Sequence, residues 1–104
     1  DRAIPAEEEE SIRQVLDSFA DEQVSHADLR TRIAGHQRFA AVTLRVPDEW
    51  SVRKAHDMAD RIEAAVGGKL HGLELVTHIE PASSGRPVTS AVLSRSGATA
   101  TAGE

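Results

Sequence analysis

The stretch that decides the fold reads SVRKAHDMADRIEAAVGG and occupies residues 51–68. Its apolar residues recur at spacings of three and four, which is the period of an amphipathic helix. They are Val52, Ala55, Ala59, Ile62 and Val66. Ser51 is a favourable N-cap, and Gly67-Gly68 is a typical helix end. The sequence therefore predicts one helix here, with a single apolar face to bury.

The segments on both sides of this helix alternate with a period of two, which predicts strands. Before the helix, residues 24–33 and 39–46 are joined by a turn that contains Gly35, so we expect a hairpin. After the helix, residues 70–79 predict a third strand that ends at Pro81. One face of this strand carries Leu73, Leu75, Thr77 and Ile79, and the other carries Glu74, Val76, His78 and Glu80.

A further helix is predicted at the start of the chain, from Pro5 to about Ala20, with one apolar stripe. The stripe consists of Ile12, Val15, Leu16 and Phe19. The element order is therefore αββαβ, and the predicted fold class is α+β. We expect a ferredoxin-like sandwich in which two helices cover one face of a three-stranded sheet and the second helix forms the crossover. The other face is left uncovered, which favours a homodimer.

The chain has 104 residues, which suits one compact domain. Residues 1–81 contain all of the predicted helices and strands, so we assign them to one folded domain. From residue 82 the composition shifts to Ser, Gly, Ala and Thr, which predicts a flexible C-terminal tail at 82–104. Residues 88–93 are the one apolar patch of that tail.

Composition and motifs argue against several classes of function. The chain has no cysteine, so disulfide frameworks and thiolate metal sites are excluded. Its net charge of −5 and its 3% aromatic content disfavour a nucleic-acid partner. No apolar run approaches the ~20 residues that cross a bilayer. No serine lies in a nucleophile elbow and no glycine-rich phosphate loop is present, so the sequence does not indicate an enzyme.

The histidines are the residues that point to chemistry. His78 and Glu80 lie two apart on a strand and so project from the same face, where an imidazole and a carboxylate can converge on one divalent ion. His56 has Asp60 four residues later on the same helix face. His26 lies on the first strand. The same spacings occur in ordinary surface pairs, so the residues alone leave both interpretations open.

Several short segments together resemble one known domain. They are DLRTR at residues 28–32, AG at 34–35, RF at 38–39, AH at 55–56, AD at 59–60 and THIEP at 77–81. In this order and spacing they resemble the cytoplasmic C-terminal domain of the cation diffusion facilitator family, whose members transport divalent metal cations. The resemblance covers roughly residues 8–81, and it implies that residues 1–81 are a cytoplasmic regulatory domain that binds metal and dimerises.

The resemblance implies that a six-helix membrane domain, absent from this soluble fragment, exchanges metal ions for protons. It implies a homodimer on the cytoplasmic side of the membrane, in which bound metal draws the two copies together and favours transport. The partners implied are therefore a second copy and the transporter's own transmembrane domain. The cofactor implied is a divalent metal cation, first Zn²⁺, with Fe, Mn, Co, Ni or Cd as others.

Carried over position by position, the resemblance implies metal ligands at His56, His78 and Glu80. Two histidines of the family pattern are replaced here, by Ala27 and Thr43. His26 stands one residue before the first of these positions and joins the candidate ligands only if a β-bulge redirects it. The departures leave a second interpretation open, a constitutive dimerisation or docking module with a degraded metal site.

Overall fold

A computed structural model describes residues 2–85 of the chain. Two helices and a three-stranded sheet form an α+β, ferredoxin-like fold, so the predicted fold class is confirmed. The elements are α1 (Ala6–Asp17), β1 (Ser25–Ala34), β2 (Gln37–Val46), α2 (Val52–Lys69) and β3 (Leu73–Pro81), with short 3-10 helices at Ala20–Glu22 and Ala82–Gly85. The second of these short helices opens the predicted tail, and residues 86–104, including the apolar patch at 88–93, lie outside the described residues.

The sheet has the order β1-β2-β3. β1 and β2 form the predicted antiparallel hairpin, whose two-residue turn uses the left-handed φ of 63° at Gly35. β2 and β3 are parallel, and α2 provides the crossover that parallel neighbours require. β3 therefore lies at one edge of the sheet, beside the helix that precedes it.

The core lies between the helices and one face of the sheet. Alternate residues of β2 are buried there against both helices, and Ile12 of α1 and Ile62 of α2 are fully enclosed. The buried residues of α2 are Ala55, Met58, Ala59, Ile62 and Val66. The sequence prediction was wrong about Val52, which is 79% exposed. Val52 lies in the first turn of α2, beside the end of β2 and not over the sheet, so no apolar surface covers it.

The ends of α2 follow the sequence only in part. The predicted cap at Ser51 is confirmed, since its hydroxyl accepts a hydrogen bond from the backbone N–H of Lys54 at 3.0 Å. The helix continues through the glycine pair to Lys69, because the N–H of Leu70 still donates to the carbonyl of Val66. The chain reverses at Gly72, whose φ of 81° suits glycine. Among residues 2–85, no helix is both long and apolar enough to cross a membrane.

Arg61 fastens α2 to the short 3-10 helix that follows α1. Its guanidinium donates to both carboxylate oxygens of Glu22, at 2.7 and 3.0 Å, and lies 5.6 Å from the ring centroid of Phe19. The hydrogen bonds from Arg61 are the main cause of a lowered pKa at Glu22. Both side chains are largely exposed, so this ion pair connects the two helices at the protein surface and not in the core.

Candidate metal centre

The free edge of β3 and the adjacent face of α2 form a groove, called here the β3-edge groove. Three of the predicted ligands line it: His56 from α2, and His78 and Glu80 from β3. Asp60 and Glu63, which follow His56 along the same helix face, line it as well. Every titratable side chain in this lining is an imidazole or a carboxylate, the donors that divalent cations of intermediate softness prefer.

A hydrogen bond fixes one wall of the β3-edge groove. The Thr77 hydroxyl donates to Oε2 of Glu63 at 2.8 Å, which connects β3 directly to α2. Glu63 is partly buried, whereas His56, Asp60 and His78 are exposed. The exposed donors are therefore free to move toward a ligand while Glu63 holds the two elements together.

Glu80 already faces a positive charge. Nε of Arg45 lies 3.7 Å from Oε1 of Glu80, too far for a hydrogen bond. That nitrogen is buried and has no hydrogen-bond partner within the described residues. A metal ion that used Glu80 would compete with the Arg45 guanidinium for the carboxylate, which lowers the affinity this carboxylate can offer.

The described residues of one chain do not complete a metal site by themselves. Within residues 2–85, no three His, Asp or Glu side chains lie close enough together to hold an ion. The sheet explains this, because His78 and Glu80 share the open face with Thr43 and Arg45, whereas α2 lies on the opposite face with His56. The donors therefore approach the β3 edge from two sides and form a partial ligand set.

A β-bulge separates His26 from this groove. The pairing of β1 with β2 shifts between Ala27 and Arg30, and Asp28 within the bulge has a left-handed φ of 56°. His26 consequently pairs opposite Leu44 and points to the helix-covered face. There it lies 2.8 Å from the Asp17 carboxylate at the end of α1. The bulge thus exists, but it turns His26 away from the face that carries His78.

The same bulge places Ala27 on the open face. Ala27 pairs opposite Thr43, and Thr43 pairs opposite His78, so these three residues form one row across the sheet. Thr43 is therefore the direct neighbour of the predicted ligand His78, and Ala27 lies one strand further along the row. This row, the A27–T43–H78 row, carries one imidazole in the present chain.

Two participants in the geometry were missed by sequence reasoning. Glu63 lies seven residues after His56 and three after Asp60, which is the spacing of a shared helix face, so the signal was present. Asp17, the partner of His26, comes from a different element. Nothing in the local sequence indicates that contact.

Comparison with known proteins agrees with the resemblance seen in the sequence. Residues 4–82 match the family model described as the cytoplasmic domain of cation efflux proteins. The cation-efflux pump FieF of Escherichia coli is 35% identical over 83 residues, which cover 80% of this chain and 27% of the pump. The chain therefore spans about a quarter of the length of such curated relatives.

Solved structures show the same fold. The zinc form of a protein described as a putative zinc transporter, CzrB, superposes with a TM-score of 0.75 at 32% identity, covering 84% of this chain and 99% of that one. The metal-bound C-terminal domain of the CzcD transporter from Thermotoga maritima gives a TM-score of 0.66 and covers 72% of this chain and 87% of that one. At 23% identity the latter likeness concerns the fold alone.

Proposed function

We propose that this chain, which belongs to the family of cytoplasmic domains of cation efflux proteins, is the metal-sensing dimerisation domain of a divalent cation transporter. The observation that carries the proposal is the position of His56, His78 and Glu80, which line one groove at the sheet edge without converging within one chain. Such a partial set suits an ion that is completed by a second copy. The transporter's membrane part, acting as a metal/proton antiporter, would lie outside this chain.

The donor chemistry supports Zn²⁺ as the first candidate. Imidazole and carboxylate ligands bind Zn²⁺ well and also accept Fe²⁺, Mn²⁺, Co²⁺, Ni²⁺ or Cd²⁺, while the softest ions prefer thiolates, which this chain lacks. Because protons compete with the metal for imidazole and carboxylate donors, binding weakens as the pH falls.

The sensing mechanism is a shift between two arrangements of a homodimer on the cytoplasmic side of the membrane. An ion that contacts both copies binds the closed arrangement better and raises its population. The open sheet face offers a surface for the second copy, since Val76 is 45% exposed there and the exposed Arg32 lies over the half-buried ring of Phe39, 4.2 Å from its centroid. The closed arrangement would then act on the attached transmembrane domain.

Calorimetric titration with Zn²⁺ tests the ligand assignment. His78→Ala removes one ligand. If four ligands share the binding free energy of a zinc site equally, the loss of one quarter of that free energy weakens binding by roughly a hundredfold. His36→Ala is the matched control, because His36 is an exposed histidine in the hairpin turn, away from the β3-edge groove. Equal affinity of the two variants would contradict the assignment.

Small-angle scattering tests the sensing step separately. Saturating Zn²⁺ is expected to reduce the radius of gyration of the dimer, and His56→Ala is expected to abolish that reduction. A dimer whose dimensions stay the same at saturating metal would remove the sensing claim even if the ion binds.

A second function is favoured by the A27–T43–H78 row, where two of three positions carry no metal-binding side chain. In this interpretation the domain is a constitutive dimerisation or docking module with a degraded metal site. It predicts an intact dimer and no measurable heat of binding with Zn²⁺, Mn²⁺, Fe²⁺ or Cd²⁺. The same calorimetric titrations therefore distinguish the two functions.

A further inference from the structure

An apolar groove lies between α2 and the loop that follows β2, separate from the open sheet face. It is called here the Trp50 groove, and it has a volume of about 330 Å³. Its apolar lining consists of Val46, Pro47, Trp50, Val52, Ala55, Ile79 and Pro81. Val52 is 79% exposed on its wall, which is a large exposure for an aliphatic side chain that faces other apolar groups.

The chain leaves the described part of the structure beside this groove. Pro81 lines the groove at the end of β3, and the 3-10 helix Ala82–Gly85 follows directly. The N–H of Ser83 donates to the carboxylate of Asp48, another residue of the groove lining, at 3.0 Å. Val88 comes five residues after Ser83, a span of at most about 17 Å, so the next apolar residues reach the groove without a long linker.

We propose that residues 87–93 of this same chain, PVTSAVL, occupy the Trp50 groove. The valine and leucine residues of the sequence after Gly85 all lie in this segment. They are Val88, Val92 and Leu93. The observations behind this proposal are the apolar surface and the point where the chain exits, and neither involves metal.

Charge supports this occupant over an arbitrary apolar peptide. The two charged residues that line the Trp50 groove, Asp48 and Glu80, are both acidic. The apolar run is flanked by Arg86 on one side and Arg95 on the other. Docking therefore brings each apolar residue to an apolar wall and places basic groups near an acidic rim.

The short tether makes weak docking sufficient. Arg86 alone separates Gly85 from the proposed segment, residues 87–93. A segment held so closely has an effective concentration on the order of millimolar, so a contact with a millimolar dissociation constant is already about half formed. The occupied state also covers His56 and Glu80 on one side, since both residues belong to the lining.

Trp50 provides a direct test, because it is the single tryptophan of the chain. We compare the quenching of its fluorescence by acrylamide in the complete 104-residue chain and in the variant Val92→Asp/Leu93→Asp, both with EDTA present. The variant is expected to show a quenching constant about twofold higher, as the fraction of covered Trp50 falls from about half to near zero. Ala98→Asp/Ala100→Asp adds the same two charges outside the apolar run and is expected to leave the quenching unchanged.

Circular dichroism of each variant verifies that the domain remains folded, and nuclear Overhauser contacts between the Leu93 methyls and the Trp50 indole give a second readout. Equal quenching in all three chains, together with no such contacts, would overturn the proposal. Protection of Trp50 that increases with protein concentration would also overturn it, because the groove would then be filled by a second copy.

Discussion

Thr43→His is the perturbation for which the structure makes the sharpest prediction. Thr43 pairs opposite His78 on the neighbouring parallel strand, and both side chains face the open side of the sheet. Adjacent strands lie about 4.8 Å apart, so the new imidazole reaches the same ion as His78. Four-ligand zinc peptides bind with roughly 10–16 kcal/mol, so one added ligand contributes about 3 kcal/mol. That corresponds to about a hundredfold lower Kd for Zn²⁺.

Competition titration with a chromophoric zinc chelator measures this change over the required range. Ala41→His is the matched control, because Ala41 faces the same side of β2 but pairs opposite Val76, which cannot bind metal. We expect Thr43→His to bind Zn²⁺ about a hundredfold more tightly than the original chain, and Ala41→His to bind it with little change. The gain should disappear when His78→Ala is added, because the new imidazole then lacks its partner.

Equal affinity of Thr43→His and Ala41→His would refute the reasoning. It would mean either that His78 is not a ligand or that the A27–T43–H78 row does not form in solution. Thermal unfolding separates these causes, since a broken β2/β3 register would exchange core and solvent faces and destabilise both variants.

Three further predictions concern the scaffold. Ile62→Ala removes a fully buried side chain between α2 and the sheet and should lower the free energy of unfolding in urea by about 2–5 kcal/mol. A decrease below about 1 kcal/mol would contradict the position of Ile62 in the core. Ser51→Ala removes the N-cap of α2 and should cost about 1 kcal/mol, whereas Ser51→Asp should cost little. Arg61→Met should return the lowered pKa of Glu22 toward its ordinary value, as followed by NMR titration. Because the pKa of Glu22 is lowered in the folded state, the stability that this pair contributes is fully present above the ordinary carboxyl pKa and is lost as the pH falls through the lowered value. Both groups are exposed, so this contribution should also weaken in high salt.

Periodicity was sufficient to predict the architecture because each element buries one face. The three-four spacing of α2 and the alternation of β3 both survive in the structure, where the apolar faces form one core. Val52 fits the spacing equally well but is exposed, since periodicity describes the direction of a side chain and not whether another element lies opposite it. Whether a position is covered depends on where the sheet ends, which is a property of the assembled fold.

The candidate site was predictable residue by residue but not as an arrangement. His56, His78 and Glu80 were identified from spacing and resemblance, and they do line one groove. Their division between two sides of β3 follows from the sheet order and the position of α2, which local spacing does not specify.

The bulge in β1 shows how one residue changes the ligands that a face can offer. In a regular strand, His26 and Arg30 would lie on the same side of the sheet, because they are four residues apart. The extra residue at Asp28 reverses this relation, so Ala27 takes the place beside Thr43 and His26 turns toward Asp17. Asp tolerates the left-handed conformation better than most residues, but this tolerance alone is a weak signal in a sequence. His26 therefore cannot take the place beside Thr43, and the proposed metal site would need its other ligands from the β3 edge and from a second copy.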